Sequence, residues 1–148
     1  AMSEAQIVSA NPIQCLRFDV FVNNKLFMEN VIANGVICAT TIGSTGYFKS
    51  VARTIFREGF GLAFICPTYG INNIILKRTD WIDIKFKREC EAFISLDNIT
   101  NTINIQKDDI KTFRLSSDHV SLFGYDMFMC PECRKGRNST IINDQYFA

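Results

Sequence analysis

Hydrophobic and polar side chains alternate along short stretches set apart by turn residues, and this period of two most constrains what the chain can fold into. Leu16, Phe18, Val20 and Val22 alternate with Arg17, Asp19 and Phe21. Asn23-Asn24 then offers a tight hairpin turn into a second run, Lys25 to Val31. Ile82, Ile84 and Phe86 alternate with Asp83, Lys85 and Lys87, which gives one strand a dry and a wet face. Leu62 to Cys66 is an apolar run ended by Pro67, and Asn72 to Lys77, Ala92 to Leu96, Thr102 to Gln106 and Thr112 to Leu115 follow at short intervals. Many short strands with regular turn signals predict a mainly β domain of sandwich type rather than a βαβ array. By this pattern alone the chain is an all-β interaction domain.

One segment breaks the period. Tyr47, Val51 and Ile55 recur every four residues with Phe48, Ala52 and Phe56 alongside, and Gly59 supplies a stop. The spacing predicts one helix over about 45–58, of roughly three turns. Ahead of it runs Asn34-Gly35-Val36-Ile37-Cys38-Ala39-Thr40-Thr41-Ile42-Gly43-Ser44-Thr45-Gly46-Tyr47. Val36 to Cys38 read as a strand buried on both faces, Gly43 frees the backbone to turn, and Ser44 or Thr45 can cap the helix. Exposed amides and hydroxyls at a helix start can hold a phosphate or a sugar hydroxyl. The run contains neither the P-loop spacing nor the Gly-rich Rossmann spacing, so it is not one of the commoner phosphate loops.

The chain has 148 residues, 47% of them hydrophobic, enough for one domain with a sizeable core. A net charge of +1 provides no electrostatic footprint for nucleic acid or an anionic membrane. The apolar stretches fall short of a membrane span and Ala1 to Pro12 does not read as a signal peptide, so a cytoplasmic setting is expected. The character changes near Phe123, which divides the chain into a domain over 1–122 and a tail over 123–148 with basic residues Arg134, Lys135 and Arg137. Of the six cysteines, Cys15, Cys38, Cys66 and Cys90 sit in apolar or strand-like runs and read as free core thiols. Cys130-Pro131-Glu132-Cys133 is half of a tetrahedral zinc site, a weak metal candidate because His119 is the chain's only histidine.

The Asn34–Tyr47 run resembles the D-G-x-x-x-S-T-P-T-G-S-T-A-Y segment of the NAD kinase family, also called the ATP-NAD or polyphosphate-NAD kinases. The likeness extends outward. Ala1-Met2-Ser3-Glu4-Ala5-Gln6-Ile7 is similar to the family's A-L-N-E-V-V-I segment, with Glu4 at the acidic position and Ser3 replacing the Asn. Phe18 to Asn24 resembles the strand and turn that precede the family segment. Ile65-Cys66-Pro67 is similar to its I-C-P, and Ser95-Leu96-Asp97-Asn98 to its S-F-D-G turn. The resemblance covers residues 1 to about 115 and is dense only at Gly43 to Tyr47.

The resemblance implies an NAD-binding site made of Glu4, Asn34, Gly43, Ser44, Thr45, Gly46, Tyr47 and Asp97. Thr45, Gly46 and Tyr47 would touch the dinucleotide, and Glu4 would hold ribose hydroxyls. It implies no catalytic residue in this chain, because the family's Gly-Gly-Asp-Gly-Thr segment belongs to an N-terminal domain and does not occur in these 148 residues. The expectation is the C-terminal domain of a kinase that uses ATP and Mg²⁺ to convert NAD to NADP, inactive without its other domain and assembled as a homo-oligomer. A non-catalytic nucleotide-binding or oligomerisation module is the competing expectation. Departures mark a divergent branch: Asn34 replaces the Asp of D-G, Thr41 and Ile42 replace Pro-Thr, and Gly46 replaces Ala.

Overall fold

The computed structural model describes residues 1–118, 120, 121 and 123. Ala1–Ser117 form one compact unit and Asp118–Ala148 a second, and the strands and helix of the sheet all belong to the first. The Cys130/Cys133 pair, His119 and the basic tail lie outside the described residues.

The expectation of a mainly β domain with one helix after the Gly43 turn is met. In chain order the strands are β1 (Glu4–Ser9), β2 (Leu16–Val22), β3 (Lys25–Thr40), β4 (Phe60–Pro67), β5 (Ile74–Leu76), β6 (Trp81–Phe86), β7 (Cys90–Leu96), β8 (Ile99–Ile105) and β9 (Ile110–Arg114). They pair antiparallel in one curled sheet, in the order β8-β7-β1-β3-β2-β6-β9, with β4 along the other side of β3 and β5 beyond it.

The long β3 organises the sheet. Its first half pairs with β2, its second half pairs with β1, and β4 runs along the opposite flank of that second half. The expected Asn23-Asn24 hairpin is present, with φ of 51° and 63°, the left-handed pair that a two-residue primed turn requires. The sequence suggested separate strands at 25–31 and 36–38; they are one strand because pairing runs on across the gap, Arg17↔Ile32 and Leu16↔Ala33 on β2 and Val8↔Gly35 on β1, and a bulge lies within the first run. Register jumps from Phe18↔Val31 to Val20↔Met28, Asn30 takes φ 56°, and its N–H donates to Asp19 Oδ1 at 2.7 Å.

Two apolar clusters follow from the alternation. On one face Phe18, Leu62, Ile82, Ile84, Phe86 and Ile105 meet, with the Phe18 ring 6.0 Å from Phe86 and 6.3 Å from Phe64. On the other face of β3 and β4, Ile37, Ala39, Ala63 and Ile65 pack under Phe48 and Phe56. The second half of β3 is therefore buried on both sides, as its uninterrupted apolar run implied. Phe48 and Phe56 meet edge to face at 5.3 Å, and each such burial contributes roughly 1.5–3 kcal/mol. Gly61 makes the seat for both rings: a Cβ there would stand 2.6 Å from Phe56 and 2.7 Å from Phe48.

The helix is shorter than its spacing implied. A 3₁₀ turn, Gly43–Thr45, leads into α1 (Tyr47–Ala52), and Arg53 ends it in the left-handed conformation at φ 57°. Phe56 contributes to the apolar face from the connection after α1, not from the helix. Gly59 is not the helix stop; it enters β4 at φ 76°, where a Cβ would stand 1.8 Å from the Leu76 carbonyl oxygen. Cys38 is buried and its thiol is pushed up to about 12 by desolvation, while Cys15 and Cys90 are half-buried. Cys66, expected in the core, is exposed because its φ of 46° at the end of β4 turns it out of the sheet alternation. Among the described residues no helix is long and apolar enough to cross a membrane.

Candidate functional site

At one end of β1 and β3 the chain crosses itself, and the crossing gathers most of the residues that the resemblance grouped. The segment Met2–Glu4 leads into β1 and is held from both sides. On one side Asp97, in the β7–β8 turn at φ 53°, accepts the backbone N–H of Met2 on Oδ2 at 2.8 Å. Its Oδ1 accepts those of Ser3 and Glu4 at 2.7 and 3.1 Å. Burial raises the Asp97 carboxyl, but these three N–H donors outweigh it and hold the group below its ordinary value. On the other side, the Thr40 hydroxyl and N–H reach the Met2 and Ser3 carbonyls, and Gly43 lies flat against Ser3. A Cβ on Gly43 would stand 2.1 Å from the Ser3 carbonyl oxygen.

Glu4 faces the turn across this crossing. Its Oε1 accepts the Gln6 amide at 2.8 Å, and its Oε2 lies 4.0 Å from where a Cβ would stand on Gly46. Desolvation raises the Glu4 carboxyl, the Gln6 amide works against that, and the negative Asp97 adds to it. Oε2 is thus an acceptor directed toward Gly46 and already partly stripped of water. Thr45, Gly46 and Tyr47 are exposed beside it, and Tyr47 presents 42% of its surface to solvent.

The remaining residues take other places. Ser44 is fully buried, its hydroxyl bonded to the carbonyls of Thr41 at 2.7 Å and Phe56 at 3.2 Å. It fixes the turn from inside. Neither Ser44 nor Thr45 caps α1: Gly46 holds the cap position without a side-chain bond, and the Thr45 hydroxyl donates back to Ile42. The Thr45 and Gly46 amides, expected to face a ligand, donate to Ile42 and Gly43 instead. Asn34 is not at the crossing. It lies six residues before Thr40, roughly 20 Å along β3 by the strand rise, and accepts the Cys15 thiol at 3.1 Å.

Two participants escaped the sequence reading, Gln6 and Thr40. The signal for Gln6 was available, since residues two apart on a strand share a face. Thr40 had none, because its role depends on a partner 37 residues away. Among the described residues no three Asp, Glu, His or Cys side chains converge as a metal site.

Known proteins share both the sequence pattern and the fold. The family model described as the ATP-NAD kinase C-terminal domain matches residues 2–124. The chain is 32% identical over 124 residues to a bifunctional NADP phosphatase/NAD kinase of Methanocaldococcus jannaschii, covering 81% of this chain and 21% of that protein. It is 36% identical over 132 residues to the protein of that name from Methanococcus maripaludis, covering 86% and 23%. A solved yeast NADH kinase complexed with NADH superposes with a TM-score of 0.68 at 25% identity, over 76% of this chain and 33% of that one. An NAD kinase from Archaeoglobus fulgidus in complex with ATP shares the fold, with a TM-score of 0.64 at 23% identity over 79% of this chain and 46% of its own. The chain spans about a fifth of the length of those two curated methanogen relatives. By the match over residues 2–124, it belongs to the NAD kinase family, as that family's C-terminal domain.

Proposed function

We propose that this domain seats the acceptor, NAD, in an NAD kinase-like phosphotransferase. The observation that carries the reading is the Glu4 carboxylate held opposite the exposed Thr45-Gly46-Tyr47 edge of the turn. Oε2 accepts a ribose hydroxyl, Gly46 leaves room for the sugar, and the Tyr47 ring offers a face or hydroxyl to the dinucleotide. Gly43, Ser44 and Asp97 act as positioning residues: they hold Met2–Glu4 and the turn in register and make no contact with NAD of their own. Asn34 remains part of the reading only if NAD or a second copy reaches its end of β3.

The reaction is transfer of the γ-phosphoryl group of ATP to the 2′-hydroxyl of the adenosine ribose. The hydroxyl oxygen gains a bond to phosphorus, the bond to the bridging oxygen breaks, ADP leaves, and the hydroxyl proton passes to a base. That base, the ATP phosphates and Mg²⁺ belong to a companion domain carrying a Gly-Gly-Asp-Gly-Thr segment, since positioning and charge stabilisation need both halves of the site. Homo-oligomer formation is part of the same reading, supported by β8 at the end of the sheet path with Ile99 exposed.

The test is NADP formation from NAD and ATP-Mg²⁺ by the full parent protein. Product that depends on Glu4 supports the reading. Binding of NAD without product, under saturating substrates, moves the domain to the competing class of non-catalytic nucleotide-binding or oligomerisation modules.

A further inference from the structure

A second groove lies on the outward face of β6 and β9; Thr112, Arg114 and Leu115 also line the cavity at Glu4, whereas Arg78, Asp80, Trp81 and Asp83 line this groove alone. It encloses about 420 Å³ and is lined by Arg78, Asp80, Trp81, Asp83, Thr112 and Arg114, among others. Register sets Trp81 directly opposite Arg114 and Asp83 opposite Thr112, so the four side chains share one face.

The acids there are already engaged. Asp80 accepts the Asn23 amide at 2.8 Å and the Lys77 N–H at 2.9 Å, and these bonds, the Asn23 amide first, hold its carboxyl below the ordinary value. Asp83 accepts the Thr112 hydroxyl. The donors, among the described residues, are not engaged. Among the described residues no carboxylate lies within ion-pair distance of the Arg78 or Arg114 guanidinium.

An aromatic ring beside two guanidinium forks that no described carboxylate pairs suits a planar ring that carries an anion. We propose that this groove binds a nucleoside monophosphate, its base against Trp81 and its phosphate between Arg78 and Arg114. The proposal does not depend on the NAD reading, because Trp81 and Arg78 line this groove and not the cavity at Glu4.

Trp81 is the chain's single tryptophan, which makes the groove its own reporter. Titrating the chain with AMP gives saturable quenching of tryptophan emission. Arg114→Ala and Arg78→Ala, both at exposed positions, each raise the half-saturating concentration by about tenfold, the loss expected for a charge-assisted contact. Tyr47→Ala leaves the titration unchanged. A linear, unsaturable response overturns the proposal, and so does equal affinity in the arginine variants. Loss of the signal in Tyr47→Ala would assign the quenching to the other site, and an equal effect from inorganic phosphate would overturn the nucleotide class.

Discussion

The carboxylate of Asp97 accepts the backbone N–H of Ser3 at 2.7 Å, across 94 residues of chain. Because the same carboxylate also takes the N–H groups of Met2 and Glu4, the acidic side chain of the site is aimed by another acid that stands behind it. Asp97→Ala removes both acceptor oxygens and all three hydrogen bonds. The expected cost is about 1 kcal/mol of stability once exposure is allowed for, with weaker NAD binding, read by thermal unfolding and calorimetry.

The two carboxyls give opposite pH signs. Asp97 is held below its ordinary value, so its contribution is complete above that value and is lost as pH falls through the lower folded value. Glu4 is raised, so folding is favoured while it is protonated, and that contribution is lost as pH rises through the raised value. For NAD the ionised Glu4 is the better acceptor. Affinity should therefore fall as pH decreases through the raised Glu4 value, and Glu4→Gln should flatten the profile. A profile unchanged in Glu4→Gln would remove this carboxylate from the site.

Gly43 and Gly46 make a matched pair. A Cβ on Gly43 meets the Ser3 carbonyl at 2.1 Å, whereas on Gly46 the nearest atom is the Gly43 oxygen at 3.5 Å. Gly43→Ala should destabilise the domain by about 1–3 kcal/mol and abolish NAD binding. Gly46→Ala should leave the melting temperature unchanged. Equal effects from the two would contradict the crossing of Met2–Glu4 over the turn.

Ser44→Ala separates positioning from contact. The hydroxyl is buried and bonded to Thr41 and Phe56, so its loss should cost about 1–3 kcal/mol in denaturant unfolding. NAD affinity of the folded fraction should stay near that of the unaltered chain, because this hydroxyl faces inward.

Local chemistry was legible wherever one strand or one turn decided the outcome. Asn23-Asn24 and the Ile82–Ile84–Phe86 alternation needed only a period and a turn type. What could not be read depended on partners distant in sequence. The Asn30 bulge rests on Asp19 across the hairpin, and the inward turn of Ser44 rests on the Phe56 carbonyl. The end of α1 at Arg53 is a left-handed non-glycine residue, for which the sequence carries no signal. The candidate site was drawn from resemblance at Gly43–Tyr47, and resemblance alone grouped Asn34 with a turn from which β3 separates it.

The central claim is that Glu4 and the exposed edge of the turn hold NAD. Calorimetric titration of the chain with NAD tests it most directly, with Tyr47→Ala and Arg78→Ala measured alongside. The expected result is saturable binding that Tyr47→Ala weakens by roughly tenfold or more, the loss expected for an aromatic contact, while Arg78→Ala retains the Tyr47-dependent binding. Affinity unchanged by Tyr47→Ala, or no heat of binding at all, would contradict it.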